Sequence, residues 1–514
     1  MIASKNSVSK PQPEQAQRID DTTVLLLLGL GVALLHMLAN GQYGFHRDEL
    51  DIIMNARQLD WGYVAYPPLT PFVARLGLML FGESLRGLRV FSAVGQGVVV
   101  VLVGLMARDF GGKRPAQILA ALAAAISPAA LTAGTMIQYM SLDYLFWVLL
   151  AFFVVKVLAS DDPRWWLGVG ASVGLGMMTK YTISFFVAGL VAAVLLTRTR
   201  RALRSPWLWG GVALALLIYL PNLIWQAQHD FISLDFLGAI HARDIAWGRT
   251  DSFMSDQLYI TSNPFTLPLW IAGIVYCLIL PAGRRFRVLG WMFLVTFALL
   301  FVTRGRGYYL APAYTMFVAA GAAWWESWLA GHSKQIRRIG WAFSWSLLAV
   351  AILVGVVLVK PIVPVNSPLW EITSEVNGEA REMIGWPDLV EQVANIYASL
   401  PDAQKSGSAI LAGNYGEAGA LDLYGPAYGL PRVISGSNSL WARGYGDPAP
   451  ETVIVVGFEQ QYASRFFTSC QPAGQVTNRY GVRNEETSSH TGLYVCTQPR
   501  QPWPVMWNEM QWFQ

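Results

Sequence analysis

Long apolar segments alternate with short polar loops over the first 360 residues of the chain. Eleven of these segments are apolar enough to cross a hydrocarbon core about 30 Å thick. They lie near residues 22–38, 88–107, 115–131, 141–158, 166–179, 181–197, 207–225, 264–281, 288–303, 310–329 and 340–359. The pattern predicts an α-helical polytopic membrane protein with about eleven transmembrane helices.

The pattern changes after Lys360, where a proline-rich linker leads into a sequence typical of a water-exposed domain. Short apolar runs, β-branched at residues 452–458, predict strands at residues 409–412, 432–435, 452–458 and 492–496, and helical periodicity predicts helices at 388–400, 415–424 and 460–468. Alternating strands and helices favour a small α/β domain with a mostly parallel sheet. The chain thus divides into a transmembrane domain, residues 1–360, and a soluble domain, residues 361–514.

Lysine and arginine concentrate in alternate short loops, and such loops face the cytoplasm. They are Lys5, Lys10, Arg18, Arg108, Lys113, Arg114, Arg198, Arg200, Arg201, Arg204, Arg284, Arg285, Arg287, Lys334, Arg337 and Arg338. With an odd number of spans, the first loop (about residues 39–87), the loop from Gln226 to Asn263 and everything after Lys360 then lie on the opposite side of the membrane. The tail before Thr22 is long and polar, so the first span is expected to be a retained signal anchor.

Several arginines lie on the outer side in spite of this bias. They are Arg47, Arg57, Arg75, Arg86, Arg89, Arg243, Arg249, Arg304 and Arg306. Basic groups on the side that disfavours them indicate an anionic ligand. The alternative is that they neutralise anionic lipid headgroups.

Composition agrees with a membrane protein and argues against a nucleic-acid partner. The chain is 54% hydrophobic and 14% charged, which is too apolar for a soluble domain of this length. Its net charge of +4 is modest and no nucleic-acid motif occurs, so no nucleic-acid partner is expected. Cys470 and Cys496 share the outer domain, where an oxidising compartment would let them pair; two unpaired thiols are the alternative.

The polar segment His46 to Glu49 follows the first apolar run. Charges are costly inside lipid, so an acidic pair at this point indicates a site that faces water. Residues 47–58 have amphipathic periodicity, which predicts a helix lying in the membrane interface with Asp48 and Glu49 in its first turn. Helix capping, with Arg47 pairing to Asp51, is an equally good explanation of these charges.

Further polar clusters lie at outer ends of predicted spans. They are Asp143 at the fourth span, Lys180 between the fifth and sixth, and Arg304, Arg306, Tyr308 and Tyr309 before the tenth. Each has a structural alternative, since a lysine can extend to the interface and tyrosines can belong to an aromatic belt. Their convergence on one membrane face predicts a functional site.

Short motifs surround these clusters along nearly the whole chain. They are Tyr43–Leu50, Leu59–Tyr63, Pro67–Leu69, Met178–Thr182, Gly307–Tyr314, Asn414–Ala420 and Leu430–Gly436. This set resembles bacterial membrane glycosyltransferases of the GT-C superfamily, in the branch of protein O-mannosyltransferases and lipid A aminoarabinose transferases. One position departs from the aminoarabinose enzymes, because Tyr66 stands where they have a lysine. The phosphate contact is then expected from Arg47, Arg75 or Lys180.

The resemblance implies inverting transfer of a sugar from a polyprenyl monophosphate carrier to a periplasmic acceptor. Lipid A or lipopolysaccharide, another glycan and a protein remain open as acceptors. Asp48 is the expected base, Glu49 supports it, and Asp143 orients the acceptor or a basic partner. The expected donor ligands are His46, Arg47, Arg75, Lys180, Arg304, Arg306, Tyr308 and Tyr309. No cofactor is required, and a divalent metal between Asp48 and Asp143 is an alternative.

A transporter or flippase of lipid-linked sugars is the alternative function. Transporters place ionisable groups near the bilayer midplane between repeats, whereas here the acids lie at span ends and no internal repeat is evident. A scaffold would leave the acidic pair unexplained. The sequence therefore favours an enzyme of the bacterial inner membrane, in contact with membrane lipids and active on the periplasmic face.

Overall fold

The computed structural model describes residues 20–514. Lys5, Lys10 and Arg18 of the expected cytoplasmic tail lie outside the described residues. Sixteen α-helices build the body that precedes Lys360. They are α1 Asp21–Ala39, α2 Arg47–Arg57, α3 Leu69–Phe81, α4 Leu85–Asp109, α5 Arg114–Ala125, α6 Pro128–Ala133, α7 Tyr139–Ser160, α8 Trp165–Met177, α9 Ile183–Leu196, α10 Pro206–Gln228, α11 Ile232–Ala246, α12 Phe253–Tyr259, α13 Leu267–Leu278, α14 Arg287–Val302, α15 Tyr314–Ala330 and α16 Lys334–Val359.

Each of the eleven predicted apolar segments contains a helix, but fewer are long enough to be spans. Within residues 20–514, six helices could cross a membrane by length and composition, or up to eight if each of two bent helix pairs is one span. The number eleven is therefore not confirmed. One reason is visible at Ser127, where the predicted third span breaks because the serine side chain caps a new helix, α6, that starts with Pro128.

The C-terminal unit, residues 368–514, contains a five-stranded sheet in the order β2-β1-β3-β5-β4. Its strands are β1 Ser408–Ala412, β2 Val433–Ile434, β3 Thr452–Val456, β4 Phe467–Gln475 and β5 Gly492–Pro499. Its helices are α17 Pro368–Val376, α18 Trp386–Ser399, α19 Asp402–Lys405, α20 Tyr415–Tyr424, α21 Asn438–Trp441, α22 Gln460–Phe466, α23 Glu485–Ser488 and α24 Trp503–Glu509.

The expectation of a mostly parallel sheet is wrong for half of this sheet. β1 runs parallel to β2 and β3, whereas β5 is antiparallel to both β3 and β4. Strand β4 was not predicted, because Pro472 and Gly474 interrupt its β pattern, and such residues are tolerated at a sheet edge. Cys470 on β4 lies opposite Cys496 on β5, and the two form a disulfide.

Helix α2 matches the predicted helix in extent but not in surroundings. It does not lie open in the membrane interface, because α20 of the C-terminal unit packs directly on it and Leu50 is fully buried. Two glycines of α20 permit this approach. A Cβ at Gly419 would lie 2.6 Å from the Leu50 side chain, and one at Gly416 would lie 2.9 Å from Cβ of Arg47. The C-terminal unit is thus seated on the first loop.

A buried ion pair fixes the first turn of α2 against α4. Arg89 donates to both carboxylate oxygens of Glu49, from Nε at 2.9 Å and from Nη2 at 2.6 Å, and neither side chain is exposed. Glu49 also accepts the backbone N–H groups of His46 and Ile137, while Arg89 donates to the carbonyl of Asn40. Buried charges are stable only with such complete hydrogen bonding.

We expect Arg89→Met to be strongly destabilising, because it leaves the Glu49 carboxylate buried without its charge partner. Breaking one side of a buried pair costs about 3 to 5 kcal/mol. Thermal unfolding in detergent should show a clearly lower midpoint. Arg86→Met, an exposed position of the same helix, is the control. Adding Glu49→Gln to Arg89→Met should recover part of the loss; a wild-type midpoint for Arg89→Met would contradict the interpretation.

Candidate active site

A cavity of about 1520 Å³ lies between the outer ends of the helices and the C-terminal unit. Its walls come from α2, the start of α7, the turn between α8 and α9, helix α11, the segment Arg304–Tyr309 and the C-terminal unit. Eight of the predicted site residues line it: His46, Arg47, Asp48, Lys180, Arg304, Arg306, Tyr308 and Tyr309. The clusters that are separate in sequence therefore meet in one place.

Asp48 occupies the second position of α2, next to the buried Glu49, and extends into this cavity. The hydroxyl of Tyr415 donates to its Oδ1 at 2.9 Å, and Nε2 of Gln138 donates to its Oδ2 at 3.0 Å. The Asp48 side chain is 19% exposed. Each oxygen can still accept another hydrogen bond, so the carboxylate is positioned to receive a proton from a bound hydroxyl.

His46 lies beside this carboxylate. Its Nε2 is 2.9 Å from Oε2 of Glu379, and its Nδ1 is 3.9 Å from Oδ2 of Asp48. Burial alone would lower the pKa of His46, but the hydrogen bond to Glu379 and the charge of Asp48 raise it to about 9. The contacts with Glu379 and Asp48 therefore favour the protonated imidazole, which sets positive charge against the carboxylates on this wall of the cavity.

Arg47 is bound by carboxylates of the C-terminal unit. Its guanidinium contacts Glu485 directly and lies 3.6 Å from Glu486 and 4.0 Å from Glu382. The pair with Asp51 that helical spacing suggested is not formed. With three carboxylates around it, Arg47 attaches the C-terminal unit to α2, and its charge is no longer available to hold a phosphate.

Tyr66, which replaces the lysine of the aminoarabinose enzymes, takes up the aspartate that Arg47 leaves. Its hydroxyl donates to Asp51, and Asn55 donates to the same carboxylate at 3.2 Å. Burial raises the pKa of Asp51 to about 6, against the opposing effect of the Tyr66 hydrogen bond. This buried network forms the floor next to Asp48.

Lys180 has a different environment, because its ammonium forms no ion pair with a described carboxylate and interacts only through charge with the buried Asp143. It lies 4.8 Å from the ring centroid of Tyr139, 5.5 Å from that of Tyr308 and 4.3 Å from that of Tyr309. Within the described part of the chain it forms neither a hydrogen bond nor an ion pair. An unpaired cation caged by aromatic rings at a cavity wall is suited to bind an anion.

Arg304 and Arg306 are both paired with aspartates. Arg306 donates from Nε and Nη2 to the two oxygens of Asp244, each at 2.7 Å, and Arg304 lies 3.1 Å from Asp251 at the exposed edge. The hydroxyl of Tyr308 accepts a longer bond of 3.3 Å from Arg306. The arginine pair expected to bind phosphate is thus largely neutralised.

Three predicted site residues lie outside the cavity. Glu49 is buried in its ion pair with Arg89, and Arg75 is exposed on α3. Asp143 is buried in α7, where it accepts hydrogen bonds from Trp147 at 3.2 Å and from Thr182 at 3.0 Å. Because Thr182 belongs to the turn that carries Lys180, Asp143 holds that turn in place and also interacts with the lysine through its charge.

The predicted metal alternative finds no matching ligand set. Among residues 20–514, no group of three or more His, Cys, Asp or Glu side chains is arranged to hold a metal ion. Asp48 and Asp143 share no hydrogen-bond partner, since the first contacts Gln138 and Tyr415 and the second contacts α7 and the α8–α9 turn.

Sequence reasoning missed the contribution of the C-terminal unit to this site. Glu379, Glu382, Tyr415 and Glu485 all line the cavity. The motif Asn414–Ala420 is visible in the sequence, but nothing in the sequence indicates that Tyr415 contacts Asp48, 367 positions earlier.

Comparison with known proteins finds a protein family whose model matches part of the chain. Residues 65–225 match the family described as dolichyl-phosphate-mannose-protein mannosyltransferase. The matched segment covers just under a third of the chain. The resemblance to GT-C enzymes that the motifs indicated is thereby confirmed.

Two curated relatives are similar over part of the chain. Undecaprenyl phosphate-alpha-4-amino-4-deoxy-L-arabinose arabinosyl transferase 1 of Pseudomonas fluorescens is 30% identical over 237 residues, 43% of this chain and 41% of the relative. Lipid A galacturonosyltransferase RgtD of Rhizobium johnstonii is 28% identical over 230 residues, 43% of this chain and 46% of the relative. The chain spans less than half the length of these relatives.

The fold is similar to that of solved ArnT structures along nearly the whole chain. ArnT from Cupriavidus metallidurans in the apo state superimposes with a TM-score of 0.58 at 15% identity, over 93% of this chain and 98% of that one. The same protein bound to undecaprenyl phosphate gives a TM-score of 0.55 at 16% identity, over 92% and 98% of the two chains. At such low identity these matches establish the fold.

Tyr415→Phe tests whether the C-terminal unit supports the Asp48 carboxylate. Burial raises the pKa of Tyr415, and the negative charge of Asp48 raises it further, so its hydroxyl stays a donor. Removing a hydrogen bond that stabilises the carboxylate disfavours its charged form, so the acidic limb of the activity profile should move to higher pH. Rates from pH 4 to pH 9 measure this shift.

Tyr424→Phe is the matched control. Tyr424 lies in the same helix as Tyr415, and its hydroxyl makes no hydrogen bond to a described residue. A merely structural role of Tyr415 would lower the rate equally at every pH. That outcome would contradict the assignment.

Proposed function

We propose that the protein is an inverting glycosyltransferase that moves a sugar from a polyprenyl monophosphate carrier to an acceptor. One observation carries the proposal: two adjacent residues, Gln138 and Tyr139, contact Asp48 and Lys180 respectively. Gln138 donates to Asp48 at 3.0 Å, while the ring of its neighbour Tyr139 lies 4.8 Å from the ammonium of Lys180. A proton acceptor and a phosphate ligand thus face one cavity, with a single aromatic ring between them.

This arrangement suits displacement at a sugar carbon. Asp48 accepts the proton of the acceptor hydroxyl, whose oxygen forms the new bond to the anomeric carbon. The bond from that carbon to the phosphate oxygen breaks, and its electron pair leaves with the phosphate. Lys180 stabilises the negative charge that develops there. Because base and leaving group lie on opposite faces of the sugar, the configuration is inverted.

The tyrosine cage, together with the charge of the nearby buried Asp143, explains why a lysine can lie here without an ion pair. The faces of Tyr139, Tyr308 and Tyr309 stabilise the ammonium electrostatically without neutralising it. An arriving phosphate therefore meets a cation that need not first leave a carboxylate. The neighbouring Arg306 would have to give up two short bonds to Asp244 to do the same.

The comparisons support this proposal. A fold neighbour is described as bound to undecaprenyl phosphate, and one curated relative is named for an undecaprenyl phosphate sugar. We extend the proposal to a position in the bacterial inner membrane with the active site on the periplasmic face, as the distribution of basic loops indicates. Sugar transfer, rather than movement of an intact lipid-linked sugar, is the activity that a carboxylate base requires.

Asp48→Asn should abolish transfer while the protein stays folded, because an amide cannot take the proton. Loss of a general base costs about a hundredfold to ten-thousandfold in rate. Transfer is measured with purified protein, a polyprenyl phosphate sugar and envelope glycolipid. Asp402→Asn, whose side chain is fully exposed, should behave as wild type. Turnover of Asp48→Asn at the wild-type rate would refute the base assignment.

Lys180→Gln should weaken use of the donor by about ten to a hundredfold, because a charge-assisted contact of roughly 1.5 to 3 kcal/mol is lost. Lys180→Arg keeps the charge and should recover part of the activity. Arg75→Gln removes a cation outside the cavity and serves as control. Should Lys180→Gln use donor as well as wild type, the phosphate must bind elsewhere in the cavity.

A further inference from the structure

Helix α17 carries an exposed apolar stripe. The stripe consists of Leu369, Ile372 and Val376, whose side chains are 46%, 57% and 63% exposed. Their spacing of three and four residues places them along one side of the helix. Glu371 and Glu375 are exposed on the neighbouring side. The exposed surface of α17 is therefore divided into an apolar half and an acidic half, as expected for a helix that lies at a membrane surface.

The remaining side of α17 attaches it to the protein. Trp370 and Ser374 are buried there, and the Trp370 ring packs edge-on against the ring of Tyr43, with 5.0 Å between their centroids. The Tyr43 hydroxyl also donates to the carbonyl of Val363 at 2.5 Å. Tyr43 belongs to the first loop and precedes His46 by three residues. The apolar stripe therefore points away from the protein, because the opposite side of the helix is occupied by these contacts.

The outer end of a candidate membrane span lies directly beside α17. Helix α16 is long and apolar enough to cross a membrane, and it ends at Val359. The side chain of Asn377, which follows the last residue of α17, donates to the carbonyl of Val359 at 3.0 Å. Leu353, less than two turns before the end of α16, is 67% exposed and apolar. The stripe thus lies near the level at which this span leaves the hydrocarbon core.

We propose that α17 is a membrane-surface anchor, with Leu369, Ile372 and Val376 inserted among the lipids around the outer end of α16. Lipid is the neighbour that the end of a span guarantees, and three side chains of one short helix form too small a surface for a stable protein interface. The inference does not depend on the proposed sugar transfer. Because Trp370 joins α17 to Tyr43, the anchor would hold the first loop and the C-terminal unit at one height above the membrane.

Spin labels on the full-length protein, in nanodiscs of phosphatidylethanolamine and phosphatidylglycerol, test this anchor. Ile372→Cys and Glu371→Cys are labelled separately in a Cys277→Ser background, because Cys277 is the free cysteine among the described residues. Collisions of each label with oxygen, which dissolves in lipid, are compared with its collisions with a water-soluble nickel complex. The Ile372 label should lie about 5 to 10 Å below the lipid phosphates, and the Glu371 label should lie in water.

Val505→Cys is the matched control. Val505 is also apolar and 47% exposed, but it lies on α24, whose hydrogen bonds stay within the C-terminal unit. Its label should collide with nickel as often as the Glu371 label does. Adding Ile372→Gln and Val376→Gln to a Leu369→Cys protein should move the Leu369 label from lipid into water. An equal thermal midpoint in detergent shows that this variant is folded.

Two results would overturn the inference. Nickel collisions at Ile372 as frequent as those at Glu371 would place the stripe in water. A label at Ile372 that is shielded from both oxygen and nickel would show that protein covers the stripe. A second copy of the chain would then be recognised by spin–spin coupling that disappears on dilution with unlabelled protein. Neither result bears on sugar transfer, which Asp48→Asn tests separately.

Discussion

The buried ion pair of Glu49 and Arg89 is the constraint on which the site depends. Two charges removed from water are tolerated only when every lone pair and N–H group is used, and here the pair also binds the backbone of the first loop and the entry to α7. The first turn of α2 is thereby fixed. Asp48, one residue earlier, lies about 100° around the helix and faces the cavity instead. Adjacent acids therefore have opposite environments, one buried in an ion pair and one open to the cavity.

The second constraint is the contact between α2 and the C-terminal unit. Gly416 and Gly419 let α20 approach the backbone of α2, and Arg47 joins the two bodies through Glu485 and its neighbours. This contact carries the Tyr415 hydroxyl to Asp48. The cavity is therefore a property of both bodies together. Loosening the contact would change the hydrogen bonding of the carboxylate before it changed the fold of either part.

Local patterns predicted what local physics determines. Helix α20 has the bounds that its periodicity predicts, and β1 and β3 lie where strands are predicted. The number of spans was overestimated because apolar composition does not reveal a break such as the one at Ser127. Strand β4 is not predicted, because its own residues carry no β pattern and its conformation depends on pairing with β5. Charges marked the region of the site but not their pairing, which is why Arg75 and Glu49 were counted with Lys180.

Pairing decides function among the charged residues of this cavity. Arg47 and Arg306 each have carboxylates within bonding distance, so a phosphate would have to compete for them and pay the cost of separating a formed pair. Lys180 has aromatic faces around its ammonium and forms no ion pair with a described residue, while the buried Asp143 acts on it only through its charge. An anion that entered the cavity would therefore reach this ammonium without first displacing a carboxylate from it, which is not true of Arg47 or Arg306.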